Sequence, residues 1–552
     1  MKRNITRLIR ILAALTLPVA MLSTAQAADT STPTALTAPS GLPGVTALPF
    51  TGVKSADFIV PEKMANLTFA SDQGVVGDSL LIKGAGLPSH SSLQLTWGTF
   101  DGTWVTDVQP NTVNYMGVKY TKYNVNIATV TTDAAGTFSY STKVPSDFGG
   151  VHDIYAISSG TAVAHGGYQL ARSMSISPKS GPIGTPITIS YNGMGASLYT
   201  AGASVLWDNH FTGEMQALWT RGTASVVIRA AGSVGSHELE VRDAITQAYL
   251  NIRQSPVPFA NGGYASFRIT KDAGAPAASI TWPAEVEPTV SQRTTLSTVG
   301  LDPNTKAIAS LSTNSGAVGS KTSLTVSGLT TTGDHQIVWA SVVGNRVNCS
   351  GTCWAYTSVP LGNVNVSDGS IKQDVTIPDH LGGWHVIQVK QGDVIEAQVP
   401  FYVKESIMPF YDKSGKLLSM GIAKADPSPV PESRDGSGTP TNIFKVGDDV
   451  TISIKGVGWT QLDNTLAVTY DNSYIGYGCG FNSNGYMVIH FRASGAPGTH
   501  LIDLNPLLYT NQPSFANTPY GMAPILTSAR DFPGLALGYQ IPSFHFAITI
   551  VK

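Results

Sequence analysis

"SGPIGTPITISYNGMG" (residues 180–195) and "FKVGDDVTISIKGVG" (444–458) share a glycine, a Thr-Ile-Ser strand core and a closing Gly-x-Gly. The match runs on without a gap. "VLWDNHFTG" (205–213) answers "VTYDNSYIG" (468–476), and "IRAAGSVGSH" (228–237) answers "FRASGAPGTH" (491–500). From Gly184 and Gly447 to His237 and His500 the offset stays at 263 residues, which marks a duplication. A second pair flanks the first. "VPSDFGGVHDI" (144–154) matches "IPDHLGGWHVI" (377–387), and upstream "GVVG" (74–77), Gly86-Leu87 and Trp97 match "GAVG" (316–319), Gly328-Leu329 and Trp339. The order along the chain is A, B, A′, B′, and the B tails agree as well, "FANGGY" (259–264) with "FANTPY" (515–520).

Within the repeats the apolar period is two. Val450, Ile452 and Ile454 alternate with Thr451, Ser453 and Lys455, and His237, Leu239 and Val241 alternate with Glu238, Glu240 and Arg242, the pattern of half-buried strands. Short strands broken by turn signals about every 8–12 residues predict an all-β chain of tandem immunoglobulin-like β-sandwiches, four in number. They are expected at 67–172 (A), 173–271 (B), 309–404 (A′) and 405–552 (B′), the last with a long Pro-rich loop near 424–441. Residues 28–66 are expected to be flexible, and the Pro- and Ala-rich 272–308 to be a linker with some extended structure.

"SPKSGPIGTPITIS" (177–190) resembles the opening of bacterial immunoglobulin-like repeats of the IPT/TIG type, and "GGVHDI" and "PGTHLIDL" are similar to their ends. The resemblance is strongest over 177–241. It implies a sandwich used for adhesion, for spacing or as an accessory to a catalytic domain, and it brings no catalytic residues.

The first 27 residues carry Lys2, Arg3, Arg7 and Arg10, then the apolar "ILAALTLPVAML", then "AQA" before Ala28, the pattern of a secretory signal peptide. An exported chain is expected, in the extracellular space, at the cell surface or in a periplasm. Removing those four cations moves the formal net charge from −2 to −6, which offers no basic field to nucleic acid. No apolar run after the leader is long enough to span a bilayer. Charged residues make up 13% of the chain, about half the usual share, and that suits an extracellular β protein.

Candidate sites are few. The histidine of "GGWH" recurs as His152, His237, His385 and His500, each opening a strand on the inward parity. Its structural reading is a corner in which the imidazole bonds backbone while its ring packs at the core rim; the functional reading is a ligand or base. "GDSL" (77–80) spells a hydrolase block, yet the other repeats read "GTPI", "GSKT" and "GDDV" at the same register, so it is a strand entry. Asp208-Asn209 and Asp471-Asn472 are first of all hairpin turns, and alternatively oxygen ligands for Ca²⁺ or for a sugar. Trp97, Trp207 and Trp339 fall on the third strand and are expected in the cores. Trp104, Trp219 and Trp354 lie in non-repeating hairpins and are the candidates for exposed contacts, together with Trp384 on the outward parity.

Cys349 and Cys353 form a candidate disulfide that would leave Cys479 odd, and two cysteines are too few for a structural zinc site. No catalytic residue or metal site is assigned. Three functions fit: a secreted or surface adhesion or structural protein, binding a cell-surface, matrix or polysaccharide target or itself; a carbohydrate-binding accessory protein; and an enzyme with an interdomain site that sequence does not reveal.

Overall fold

A computed structural model describes residues 34–109, 112–195, 202–242, 263–289, 301–344, 354–425, 438–460, 462–508, 523–526 and 531–552. The segment read as a signal peptide, Cys349, Cys353 and most of the expected 424–441 loop lie outside the described residues.

Alternation is realised as strands that bury every second side chain. In Pro186–Asn192 the buried residues are Ile187, Ile189 and Tyr191, with Thr188 and Ser190 half-buried between them. This strand lies between Ser173–Ser177 and Ala224–Arg229 in a three-stranded sheet. The opposing sheet runs in the order Ser180–Gly181, Tyr264–Ile269, Gly235–Arg242, Gly202–Trp207, His210–Gln216. Ile187, Ile189 and Ile228 from one sheet meet Val205, Trp207, Leu239 and Phe267 from the other in a shared core.

The same plan recurs after the midpoint. Ile308–Leu311, Lys321–Ser327 and Ile371–Thr376 face a sheet ordered Ser315–Ala317, Val394–Lys404, Gly383–Gln391, Gly333–Gly344, Trp354–Val366, with Leu324, Val326, Trp339, Ile387 and Phe401 between them. A short early strand runs parallel to a later, longer one at four places along the chain. The pairs are Gln73–Gly74 with Thr161–Leu170, Ser180–Gly181 with Tyr264–Ile269, Ser315–Ala317 with Val394–Lys404, and Ile443–Lys445 with Ser543–Val551. The fold class is therefore the expected all-β one with immunoglobulin-like sandwiches.

Two expectations need correction, and a third gains detail. The segment 28–66 is ordered from Thr34 onward, because Thr34–Leu36 pairs with Ser92–Gln109 and Leu36 and Leu42 are buried. In the linker 272–308, read as having some extended structure, Ser279–Thr281 is an edge strand beside Ser543–Val551. Asp449–Lys455, expected to be half-buried, is covered on both faces, and Thr451 and Ser453 are as enclosed as Val450 and Ile452. The described residues from Thr34 to Lys552 belong to one compact unit. Among the described residues no helix is long and apolar enough to cross a membrane.

Candidate functional site

Each recurring histidine stacks on the aromatic residue of the neighbouring strand. His152 lies over Trp97 at 4.2 Å, His237 over Trp207 at 5.2 Å, His385 over Trp339 at 4.7 Å and His500 over Tyr470 at 5.5 Å between ring centroids. In the A-type repeats both ring nitrogens face backbone carbonyls. His152 reaches Gly98 (Nδ1, 2.8 Å) and Phe148 (Nε2, 2.7 Å); His385 reaches Ala340 (3.0 Å) and Gly382 (3.1 Å). Full burial pushes the His385 imidazole down to about 4.

The B-type repeats put a carboxylate in place of one carbonyl. His237 Nδ1 meets Asp208 Oδ2 at 2.6 Å and His500 Nδ1 meets Asp471 Oδ2 at 2.5 Å, while each Nε2 keeps a backbone carbonyl, of Ser233 and Ala496. Burial works against a charged His500, yet the Asp471 hydrogen bond and the Ala496 carbonyl outweigh it and raise its pKa.

Asp208 and Asn209 (φ 50° and 67°), like Asp471 and Asn472 (47° and 63°), are left-handed at both central positions, the geometry of a type I′ hairpin turn. The second carboxylate oxygen of each turn accepts a backbone N–H, from Glu238 and from Leu501, both at 2.9 Å. Turn and histidine are thus one clasp. The Asp oxygens, first read as turn formers and alternatively as Ca²⁺ or sugar ligands, are engaged in hydrogen bonds within the repeat. Asn209 is exposed, whereas Asn472 is buried and donates from Nδ2 to the Arg229 carbonyl at 2.8 Å.

Two of the tryptophans expected as exposed contacts are interior. Trp104 is 0% and Trp219 6% exposed, and both converge on Asp531. Trp104 Nε1 donates to Asp531 Oδ1 at 2.9 Å, the Trp219 and Thr220 backbone N–H groups donate to Oδ2, and Trp219 Nε1 donates to the Leu36 carbonyl at 3.3 Å. Full burial, only partly offset by these donors, pushes the Asp531 carboxyl up to about 6. Trp384 is half-buried rather than outward: its Nε1 donates to the Gly538 carbonyl at 3.1 Å and its ring stands edge-on to Tyr402. The side chain of Trp354 lies outside the described residues, and Cys479 is exposed and free.

A second buried cluster has no counterpart in the sequence reading. Arg221, at φ 53°, donates from Nη1 to Asp101 (2.8 Å) and the Tyr123 hydroxyl (2.9 Å), and from Nη2 to Thr99 (2.7 Å) and Asp147 (3.0 Å). Trp97 Nε1 donates to the other Asp147 oxygen at 2.9 Å. Burial opposes ionisation of Asp101, but Tyr123, Lys54 and Arg221 hold its carboxyl below the usual range. The one available signal was Arg221 itself, a cation two residues after Trp219. Among the described residues no group of three or more His, Cys, Asp or Glu side chains is placed to hold a metal ion.

No protein-family model matches the sequence, and no curated protein does. Solved structures do. The chain is similar to the native conformation of E. coli α2-macroglobulin at 8% identity and a TM-score of 0.16, with 87% of this chain over 30% of that one. It is similar to the E. coli adhesin FdeC (11%, TM-score 0.14, 61% of this chain over 96% of that one). A third is the cell adhesion molecule DSCAM, in its N-terminal eight Ig domains (13%, TM-score 0.16, 81% over 47%). Likenesses at this level carry no activity and no arrangement across to this chain.

Proposed function

We propose that the chain is an exported, non-catalytic adhesion or structural protein of the cell surface or extracellular matrix. In this reading it is built of IPT/TIG-type immunoglobulin-like repeats in the order A, B, A′, B′. The observation that carries the reading is the use made of Asp531. A catalytic carboxylate of raised pKa faces open space where a substrate sits. This one is enclosed by Trp104, Trp219 and Thr220, which come from parts of the chain roughly 300 and 400 residues away, and it ties them together. Arg221 does the same between the strand Ser92–Gln109 and the turn that joins His210–Gln216 to Ala224–Arg229.

Repeats joined by flexible linkers move independently, whereas repeats joined by buried charges and aromatic rings present their outer edges at fixed spacing. Fixed spacing suits a protein whose duplicated surfaces engage a cell-surface, matrix or polysaccharide target together, or engage further copies of itself. The test is fractionation of a producing culture. Retention on washed cells, or assembly of the purified protein into multimers, is the expected result. Quantitative recovery as a free monomer in the supernatant overturns the reading.

A further inference from the structure

The two places where an A repeat meets a B repeat share a backbone and differ in side chains. Gly222 and Gly485, 263 residues apart, are both left-handed (φ 79° and 82°). A β-carbon on Gly222 would stand 2.9 Å from the Asp147 carbonyl oxygen and 2.7 Å from that of Met194. On Gly485 it would stand 2.8 Å from the His380 carbonyl oxygen and 3.1 Å from that of Val457. His380 therefore occupies the place of Asp147, and the same offset puts Asn484 (φ 56°) in the place of Arg221 (φ 53°). Ser341 stands two residues after Trp339, as Thr99 does after Trp97.

The exchange removes an ion pair. In the first joint Asp147 is fully buried and accepts hydrogen bonds from Arg221 and from Trp97 Nε1. In the second, Asn484 is exposed, and the half-buried His380 meets Ser341 Oγ through Nδ1 at 2.8 Å. Trp339 Nε1, without the carboxylate that Trp97 has, is buried with no hydrogen-bond partner among the described residues. The second joint thus rests on the packing of Val342, Leu381, Trp459 and Phe481 around an imidazole, the side chain that changes charge in mild acid.

The surroundings favour the neutral ring. Burial, only partly offset by Asp379, lowers the His380 pKa below the ordinary 6.5. Asp379 is itself paired with Lys455 at the surface. The elements packed here also carry Lys404, Glu405, Asp463, Tyr486 and His385, and among the described residues no carboxylate forms an ion pair with His380. His385 lies close enough that a charge on one ring opposes a charge on the other. Opening the joint returns His380 to water. The open form then takes up the proton first, and the packing weakens as pH falls below about 6.5.

We propose that the joint between A′ and B′ is a hinge that loosens when His380 takes up a proton, while the joint between A and B, closed by Asp147 and Arg221, stays packed. Spacing that is fixed at neutral pH then changes at one place in mild acid. The hinge goes beyond the adhesive role and depends only on packing within the chain, so either can fail without the other.

Hydrogen–deuterium exchange of the full chain at pH 7.5 and 5.5, corrected for the intrinsic pH dependence of exchange, tests the hinge. Backbone amides of 380–382 and 456–458 are expected to lose protection about tenfold or more at pH 5.5, and those of 147–149 and 193–195 to keep theirs. His380→Asn keeps a hydrogen-bonding group for Ser341 and takes up no proton, so its second joint is expected to be equally protected at both pH values. The double variant His380→Asp, Asn484→Arg copies the first joint. It is expected to behave in the same way and to shift the Trp339 indole N–H resonance as that group gains an acceptor. Equal protection of the parent's second joint at both pH values overturns the proposal, as does an equal loss at both joints. A loss that persists in His380→Asn overturns it too, since His385 is then its source.

Discussion

Gly149 lies so close to Gly193 that a β-carbon built on Gly149 would overlap the Gly193 carbonyl oxygen. Gly382 stands in the same relation to Gly456, and 456 is the position 263 residues beyond 193. The backbone bonds agree. Gly149 N–H donates to the Met194 carbonyl and Gly382 N–H to the Val457 carbonyl, each at 2.9 Å. What was duplicated therefore includes the joint between an A and a B repeat, and the first glycine of each "GG" is there to let two backbones meet. Gly149→Ala and Gly382→Ala are each expected to cost about 3 kcal/mol or more, since the obstructing atom is backbone and cannot rotate away. Urea unfolding measures this, and an alanine variant as stable as the parent would refute the joint.

The Asp531 cluster predicts a graded series. Trp104→Phe keeps an aromatic ring but a smaller one, and deprives the buried carboxylate of its indole donor, an expected loss of about 1–3 kcal/mol from the donor with a further cost for the unfilled volume. Trp219→Ala also opens a cavity and is expected to cost about 3–5 kcal/mol. In a double-mutant cycle Trp104→Phe and Asp531→Asn should couple strongly. Additive losses would mean that the two side chains do not act together.

The strand pattern was legible because it depends on neighbours two residues apart, as at Ile187, Ile189 and Tyr191. Repetition placed Trp97, Trp207 and Trp339 in the cores, since a position kept in several copies serves the repeat and not one contact. The fate of Trp104 and Trp219 was not legible. Their partner Asp531 is 427 and 312 residues away, and hairpins that occur in one copy only have nothing to be compared with. The Asp208 turn was half legible: its left-handed chemistry is local, but its histidine lies 29 residues on, across the sheet. The N-terminal strand Thr34–Leu36 was missed for a related reason, because its Thr- and Pro-rich surroundings imitate a disordered tail while its pairing partner is the distant strand Ser92–Gln109.

His385 and Asp531 predict opposed responses to acid. His385 is held down to about 4 in the folded chain, so the unfolded chain takes up its proton first, and stability falls as pH drops from about 6.5 to 4. Asp531 is raised to about 6, so the folded chain takes up that proton first, and stability rises as pH drops from about 6 to 4. Each effect is on the order of 3 kcal/mol, and the two nearly cancel in the parent. Asp101 and Asp503, held below the usual range, enter only at lower pH. His385→Gln is expected to gain stability from pH 6.5 to 4 relative to the parent, and Asp531→Asn to lose it. Parallel pH–stability curves for the two variants would contradict both assignments.

The clasp at His500 should respond to pH in yet another way. Its pKa is raised above the ordinary 6.5, so its contribution is complete below that value and disappears as pH rises through the folded-state pKa. Asp471→Asn removes the charge that supports the imidazolium and keeps the left-handed turn, because asparagine tolerates that conformation. The expected result is a larger loss of Tm at pH 6 than at pH 8.5, with the His500 NMR titration moving to lower pH. Calcium should leave the parent Tm unchanged, since both oxygens of Asp471 already accept hydrogen bonds from His500 and Leu501. A calcium-dependent rise in Tm that Asp471→Asn abolishes would restore the turn as a cation site and show that the carboxylate leaves His500 to bind it.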